Sequence, residues 1–158
     1  MKIYLFKLFK LLVSALSLLG CSHLSGDGSL KLSVQVIKVD SWLNLMPGGP
    51  GSFHFSGNFV VKNLGKCKVD SLSLNKVSVI QNNNELYSII PVFKSKTDGD
   101  NHELDREGEK EFDFYTSSGL TIKKELDASL PIKLILMLTD SNSVFAYEVE
   151  NIKIEKVY

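Results

Sequence analysis

Several features that mark large functional classes are missing from this 158-residue sequence. Its only two cysteines, Cys21 and Cys67, exclude a cysteine-rich zinc module and a disulfide scaffold. No cluster of lysine and arginine supplies the electrostatic footprint of a nucleic-acid-binding protein. Four prolines and eleven glycines are too few for a low-complexity chain. The remaining composition, 44% hydrophobic and 23% charged, predicts one globular domain at this length.

The sequence also lacks motifs of catalysis. It contains no G-x-S-x-G elbow, S-x-x-K, Walker A or G-x-G-x-x-G pattern. The three histidines, His23, His54 and His102, lack the spacing of a metal site. The glycine-rich run 48–51 is not a phosphate loop, because its proline removes a backbone donor and no lysine follows it. We therefore expect a protein without enzymatic activity and without a cofactor.

The longest hydrophobic run is short and lies near the N terminus. Residues 11–19 form a nine-residue apolar run, too short to cross roughly 30 Å of hydrocarbon as a helix. A basic segment with three lysines and no acid precedes this run, and Gly20 and Cys21 follow it. This order is typical of a secretory signal peptide.

The tetrapeptide Leu18-Leu19-Gly20-Cys21 resembles the lipobox of bacterial lipoproteins. The resemblance implies cleavage before Cys21, a diacylglyceryl group on its thiol and further acylation by a fatty acid such as palmitate. Ser22 follows instead of an aspartate, which implies the outer membrane under the enteric sorting rule. Two or three acyl chains hold a protein stably at a bilayer, whereas one does so only marginally. The alternatives are an ordinary signal peptide with a chance cysteine and an uncleaved anchor.

These observations predict three parts of the chain. Residues 1–20 are the signal peptide, residues 21–29 are the lipidated cysteine and a flexible tether, and residues 30–158 are the folded domain. The tether segment 22–29 is small and polar, and eight residues span at most roughly 28 Å. Removal of residues 1–20 takes away three lysines and leaves 15 basic and 18 acidic residues, a net charge of about −3.

From Leu30 onward, apolar residues recur with a period of two, which indicates strands. We predict an all-β fold, an immunoglobulin-like antiparallel β-sandwich of seven or eight strands after an N-terminal signal helix. A phase change between Leu74 and Val77 predicts a bulge near Asn75. Segment 57–65 resembles the strand and Asn-x-Gly turn of immunoglobulin-like bacterial surface domains, which implies a fold but no activity. Segment 122–130 is the one helical candidate.

Cys67 is the cysteine that remains once Cys21 carries lipid. In an extended strand, Lys66 and Lys68 would point away from the face that Cys67 occupies. We therefore expect Cys67 to be a buried core residue. The alternatives are a reactive thiol whose pKa the two lysines lower, and an exposed inert thiol.

Segment 98–113 is the most acidic part of the chain, with eight acids against Arg106 and Lys110. In an extended chain, the acids at the odd positions from Glu103 to Asp113 would line one face. One interpretation is a solvated loop and edge strand whose charge prevents aggregation. A second is a docking surface for a basic partner, formed by Glu103, Asp105, Glu107, Glu109 and Glu111. A third is a Ca²⁺ site with Asp98, Asp100, Asn101, Glu103 and Asp105 as oxygen ligands, although the EF-hand order is missing.

Segment 41–51 combines large apolar residues with a proline- and glycine-rich run, and we expect it to be a loop. Trp42, Leu45 and Met46 could anchor a partner protein or dip into the bilayer surface. In the alternative, Trp42 caps one end of the sandwich core.

The sequence therefore predicts a membrane-anchored lipoprotein of the bacterial cell envelope that acts as a non-catalytic binding or structural module. Its partner would be an envelope protein or polymer and not a nucleic acid. The alternative is a periplasmic enzyme accessory, or a protein that binds Ca²⁺ or carbohydrate through segment 98–113.

Overall fold

The computed structural model describes residues 31–140 and 143–158. The signal segment and the lipidated Cys21 of the sequence analysis lie outside these residues. The described residues contain no helix and nine strands. The strands are β1 (Leu32–Asn44), β2 (Ser52–Asn63), β3 (Ser73–Gln81), β4 (Asn84–Ile89), β5 (Val92–Ser95), β6 (Glu109–Tyr115), β7 (Ile132–Thr139), β8 (Val144–Ile152) and β9 (Ile154–Val157).

The strands form two sheets that face each other. The first sheet has the order β5-β6-β2-β1-β9, and the second has the order β4-β3-β7-β8. Every pairing is antiparallel except that of β1 with β9, which is parallel over Ser41–Asn44. β8 lies in the second sheet, and after Lys153 the chain continues as β9 in the first. The predicted all-β sandwich is therefore confirmed.

The core forms where the inner faces of the two sheets meet. The side chains of Phe53, Phe55, Phe59 and Val61 on β2 are fully buried, as the period-two pattern predicts. Leu134, Leu136 and Leu138 on β7 are their fully buried counterparts in the second sheet. The ring of Phe59 contacts the rings of Phe93, Phe112 and Phe114, with centroids 5.7–6.1 Å apart.

The bulge predicted near Asn75 is also confirmed, because the register between β3 and β7 shifts between Leu74 and Lys76. β3 and β4 join through the two-residue turn Asn82-Asn83, in which both residues have positive φ. Asparagine tolerates that conformation better than most residues, and it suits the turn of a tight hairpin.

The helical candidate at 122–130 is wrong. These residues form turns between β6 and β7. The side chain of Gln81 accepts a hydrogen bond from the Asp127 amide and donates to the carbonyls of Asp127 and Leu130. Because this side chain takes up backbone groups that a helix would use, it fixes the segment in a non-helical form.

The prediction that Cys67 is buried is also wrong, since Cys67 is exposed. β2 ends at Asn63, so the alternation of an extended strand does not continue through residues 64–68. Asn63 itself directs this turn: its side-chain amide donates to the Cys67 carbonyl, and its side-chain oxygen accepts from the Gly65 amide.

Segment 98–113 differs from the predicted edge strand and carboxylate ladder. β6 lies between β5 and β2 and is therefore not an edge. Its residues Glu109, Glu111 and Asp113 alternate with the buried Phe112 and Phe114 and so share the outer face of the first sheet. Before them, a turn in which Glu107 has a φ of 55° separates Glu103, Asp105 and Glu107 from that face. The six carboxylates thus do not form one row.

Candidate functional site

The two ends of the sandwich carry different groups, and β1 connects them. β1 has 13 residues, which at about 3.3 Å per residue span about 40 Å. We call the end at Lys31, where the described chain begins, the N-terminal end. We call the end beyond Asn44 the distal end; it comprises the β1–β2 loop (45–51) and the connection between β6 and β7 (116–131).

Backbone hydrogen bonds hold the distal segments together. Phe53 at the start of β2 exchanges two hydrogen bonds with Leu120, each 2.8 Å from nitrogen to oxygen. The amide of Leu45 donates to the carbonyl of Val157, so the C terminus also lies at this end. The proline- and glycine-rich run is therefore held between two fixed points, β1 on one side and β2 on the other.

A cavity of about 480 Å³ opens between the β1–β2 loop and residues 119–121. That volume lies within the range of small-molecule sites. The lining includes Met46, Pro47 and Leu120 as apolar groups. Asn44, Ser52 and Thr121 provide polar groups, and none of the described residues in the lining is charged. Such a wall favours an uncharged ligand or partner segment.

Trp42 lies beside this cavity in a cluster on the outer face of the first sheet. It belongs to β1 and pairs in register with His54 of β2, so the prediction that it lies in a loop is wrong. The two rings stack at a centroid distance of 5.2 Å with an angle of 5° between their planes. The flanking Ser41 and Leu43 are buried on the inner face, so Trp42 points outward. It therefore does not cap the core.

Hydrogen bonds link the same cluster to the cavity wall. Ser52 Oγ lies 2.8 Å from His54 Nε2, and Thr116 Oγ1 lies 3.5 Å from His54 Nδ1. Gly119 packs so closely on this group that a Cβ there would overlap the side chain of Ser52. The position therefore requires glycine, and the connection lies directly against β2.

Tyr87 anchors the other side of the connection. Its hydroxyl donates to the carbonyl of Thr121 and accepts from the amide of Lys123, and the Lys123 ammonium lies 5.2 Å from the ring centroid. Burial raises the pKa of the Tyr87 phenol above its ordinary value. Because the phenol stays protonated at neutral pH, it can serve as donor and acceptor at once. The distal connection is thus fixed by specific bonds even though it contains no regular element.

The acidic segment lies at the opposite, N-terminal end. The amide of Leu64 donates to the carbonyl of Lys31, and the amide of Asn63 donates to the carbonyl of Gly108. The side chain of Asn63 donates to the carbonyl of Asp105 over 3.0 Å. The loop that precedes β6 therefore sits beside the point where the described chain begins.

Several of its carboxylates are neutralised within the chain. Lys68 forms an ion pair with Glu103, Lys96 with Glu111, and Lys110 with Asp98, with nitrogen–oxygen distances of 2.8, 2.7 and 3.1 Å. The hydrogen bond from Lys68 lowers the pKa of Glu103 below its ordinary value, and the bond from Lys96 does the same for Glu111. These pairs reduce the charge that the segment offers to a basic partner.

The candidate Ca²⁺ ligands do not converge in the described part of the chain. No group of three or more His, Cys, Asp or Glu side chains there could hold a metal ion. The Asn101 side-chain oxygen accepts from the amide of Glu103. A cavity of about 200 Å³ beside Asp98 and Glu103 is also lined by Lys110, whose positive charge opposes a cation. Ca²⁺ binding thus stays a prediction that this geometry does not favour.

The sequence-predicted site residues thus fall into two separate groups. Trp42, Leu45 and Met46 lie at the distal end, and Met46 is 54% exposed. The acidic candidates lie at the N-terminal end or on β6. Sequence reasoning missed Ser52 and Thr121, which line the cavity, and Thr116, which contacts His54, because these positions depend on sheet register and on a long irregular connection.

Comparison with known proteins adds no relative. No protein-family model matches the chain, and no curated protein matches it in sequence. In the residues that the structure describes, no helix has the length and apolar character needed to cross a membrane.

Proposed function

We propose that the protein is a lipid-anchored module of the bacterial cell envelope, in the outer membrane, that binds a partner through its distal end. The anchor is Cys21 in the lipobox-like segment 18–21. The domain is an immunoglobulin-like sandwich, and it acts by contact rather than by catalysis. Its partner is an envelope protein or polymer.

The observation that carries the proposal is the position of the uncharged cavity relative to the start of the domain. The cavity is lined at Asn44, and the described chain begins at Lys31, about 40 Å away along β1. A tether of residues 22–29 reaches at most roughly 28 Å. With the anchor at Cys21, the N-terminal end is next to the bilayer and the distal end is directed toward the periplasm.

The same geometry argues against the other roles of the two candidate surfaces. A distal loop on the far side of the domain is poorly placed to insert into the bilayer that holds the anchor. The acidic segment lies beside the N-terminal end, close to the membrane, and ion pairs occupy Asp98, Glu103 and Glu111. We therefore favour the distal end over the acidic segment as the binding surface.

The anchor is tested by Cys21→Ala in the native host. The wild-type protein should incorporate labelled palmitate and sediment with the outer membrane. The variant should lose the label and keep its unprocessed N-terminal segment. Ser22→Ala, one residue away, should behave like the wild type. A Cys21→Ala protein with undiminished palmitate label would overturn the anchor.

The choice of surface is tested by capture of envelope components on the purified lipoprotein. Met46→Glu introduces a charge at the uncharged cavity and should abolish recovery of the partner. Replacement of Glu103, Asp105, Glu107, Glu109 and Glu111 by serine should leave recovery unchanged. The reverse pattern would transfer the binding surface to the acidic segment.

A further inference from the structure

His102 occupies an unusual position in the acidic segment. Its ring packs against Phe93 of β5 and Phe112 of β6, with centroid distances of 4.8 and 5.9 Å. The Nε2 atom is buried and, among the residues that the structure describes, it has no hydrogen-bond partner. Most buried polar atoms in folded proteins do have a partner, so this nitrogen calls for an explanation.

The backbone around His102 closes the sandwich at this point. The carbonyl of His102 accepts from the amide of Leu72, and Leu104 exchanges two hydrogen bonds with Val69. The side chain of Leu104 is 1% exposed. These backbone bonds fasten the segment around His102 to residues 69–72, and the His102 ring is its contact with the Phe93 and Phe112 rings.

We propose that His102 is an acid-sensitive latch: the neutral ring holds segment 96–108 against Phe93 and Phe112, and protonation of its buried nitrogen releases the segment. A neutral imidazole can leave one nitrogen as a bare acceptor, whereas the imidazolium has two N–H donors. The second donor would be buried between aromatic rings without an acceptor. The charged ring is therefore better solvated when the segment opens into water.

The surrounding charges fit this assignment. Burial is the main cause that lowers the pKa of the His102 imidazole, Asp100 opposes the effect, and Lys110 adds to it. The ammonium of Lys110 is itself paired with Asp98. Other charged groups of the adjoining elements have partners or positions of their own, and Asp100 and Lys110 are the charges that act on the ring. Lys96 pairs with Glu111, Lys68 pairs with Glu103, Lys94 and Asp113 lie opposite each other on the outer face of the first sheet, and Asp70 is exposed.

The direction of the effect follows from linkage. A histidine whose pKa is lowered in the folded state binds its proton more readily in the open state. The closed segment is therefore fully favoured above the ordinary histidine pKa of about 6.5, and it loses stability as the pH falls toward the lowered value. A single proton changes the opening equilibrium at most about tenfold per pH unit. Opening would uncover the two phenylalanine rings at the N-terminal end.

Hydrogen exchange of the full-length chain in detergent tests the latch. The peptide that contains Leu104 is followed between neutral and mildly acidic pH, with rates normalised to those of an unstructured chain. In the wild type, its opening should increase severalfold as the pH falls below about 6.5. His102→Phe keeps an aromatic ring but cannot titrate, and its opening should not change with pH. His23→Phe, in the tether segment 22–29, should leave the pH dependence of this peptide as in the wild type.

Two results would overturn the proposal: a wild-type segment whose protection does not change with pH, or a His102→Phe segment that opens in acid as the wild type does. If His102→Phe fails to close at neutral pH, a direct titration of the His102 ring by nuclear magnetic resonance decides. A ring that titrates at its ordinary value would contradict the latch. A lowered value, with Leu104 exchange increasing over the same pH range, would support it.

Discussion

Asn63 offers a sharp test of how the N-terminal end is held together. Its side chain is fully buried at the end of β2 and makes three hydrogen bonds. It donates to the carbonyls of Cys67 and Asp105 over 2.8 and 3.0 Å and accepts from the amide of Gly65 over 2.9 Å. At about 1 kcal/mol for each net bond, Asn63→Ala should reduce the free energy of unfolding by about 3 kcal/mol.

Asn63→Asp separates the donor bonds from the acceptor bond. The new carboxylate can still accept from Gly65, but it directs an oxygen at two carbonyl oxygens. We expect it to destabilise the fold at neutral pH at least as much as alanine does. Because the folded state raises the pKa of the introduced carboxyl, protonation restores a donor. The stability relative to wild type should therefore be better in acid and decline as the pH rises.

Urea denaturation followed by circular dichroism measures both variants. Asn58→Ala is the matched control, since this half-buried asparagine on the outer face of β2 donates one bond, to Glu111. It should cost about 1 kcal/mol or less. An Asn63→Ala variant that loses no more stability than Asn58→Ala would refute the view that this side chain fastens the two loops.

Two further variants test the distal end, again by urea denaturation. Gln81→Leu removes three hydrogen bonds to the backbone of Asp127 and Leu130, and it should cost about 2–3 kcal/mol and loosen segment 122–130. Unchanged stability would contradict the role given to this side chain. Gly119→Ala forces a Cβ against Ser52 and should cost about 1–3 kcal/mol; a stabilised variant would show that the segment does not pack there.

Much of the fold could be predicted because its main signal is local. The period of two along Phe53, Phe55, Phe59 and Val61 identifies the buried face of β2 without knowledge of its neighbours. The bulge near Asn75 is visible as a change of phase in the same pattern. The number of strands was harder to predict, because β5 and β9 have four residues each and are too short to show a period.

The errors occur where a single residue interrupts an extended chain. Glu107 adopts a positive φ that few residues other than glycine favour, so nothing in the sequence indicates that the acidic row breaks there. Cys67 follows a turn that the side chain of Asn63 imposes from within the core. The break in the acidic row at Glu107 and the turn before Cys67 both depend on contacts with distant segments.

For the same reason, only part of the candidate site could be predicted from the sequence. Trp42 and Met46 stood out by composition, whereas His54 meets Trp42 through the register between β1 and β2, and Ser52 joins the cluster through its contact with His54. Thr121 also lines the cavity, but it lies in a connection more than seventy residues beyond Met46 along the chain. A long irregular segment has no sequence pattern that predicts where its residues lie.

Site-specific photo-crosslinking in living cells tests the central claim most directly. A photoreactive residue is placed at Met46 at the distal end or at Leu64 at the N-terminal end, two apolar positions with nearly equal exposure, 54% and 53%. Our account predicts that the residue at position 46 forms a crosslink to a discrete envelope component, and that the residue at position 64 labels membrane lipid. Lipid labelling from position 46, with the envelope component captured from position 64, would contradict it.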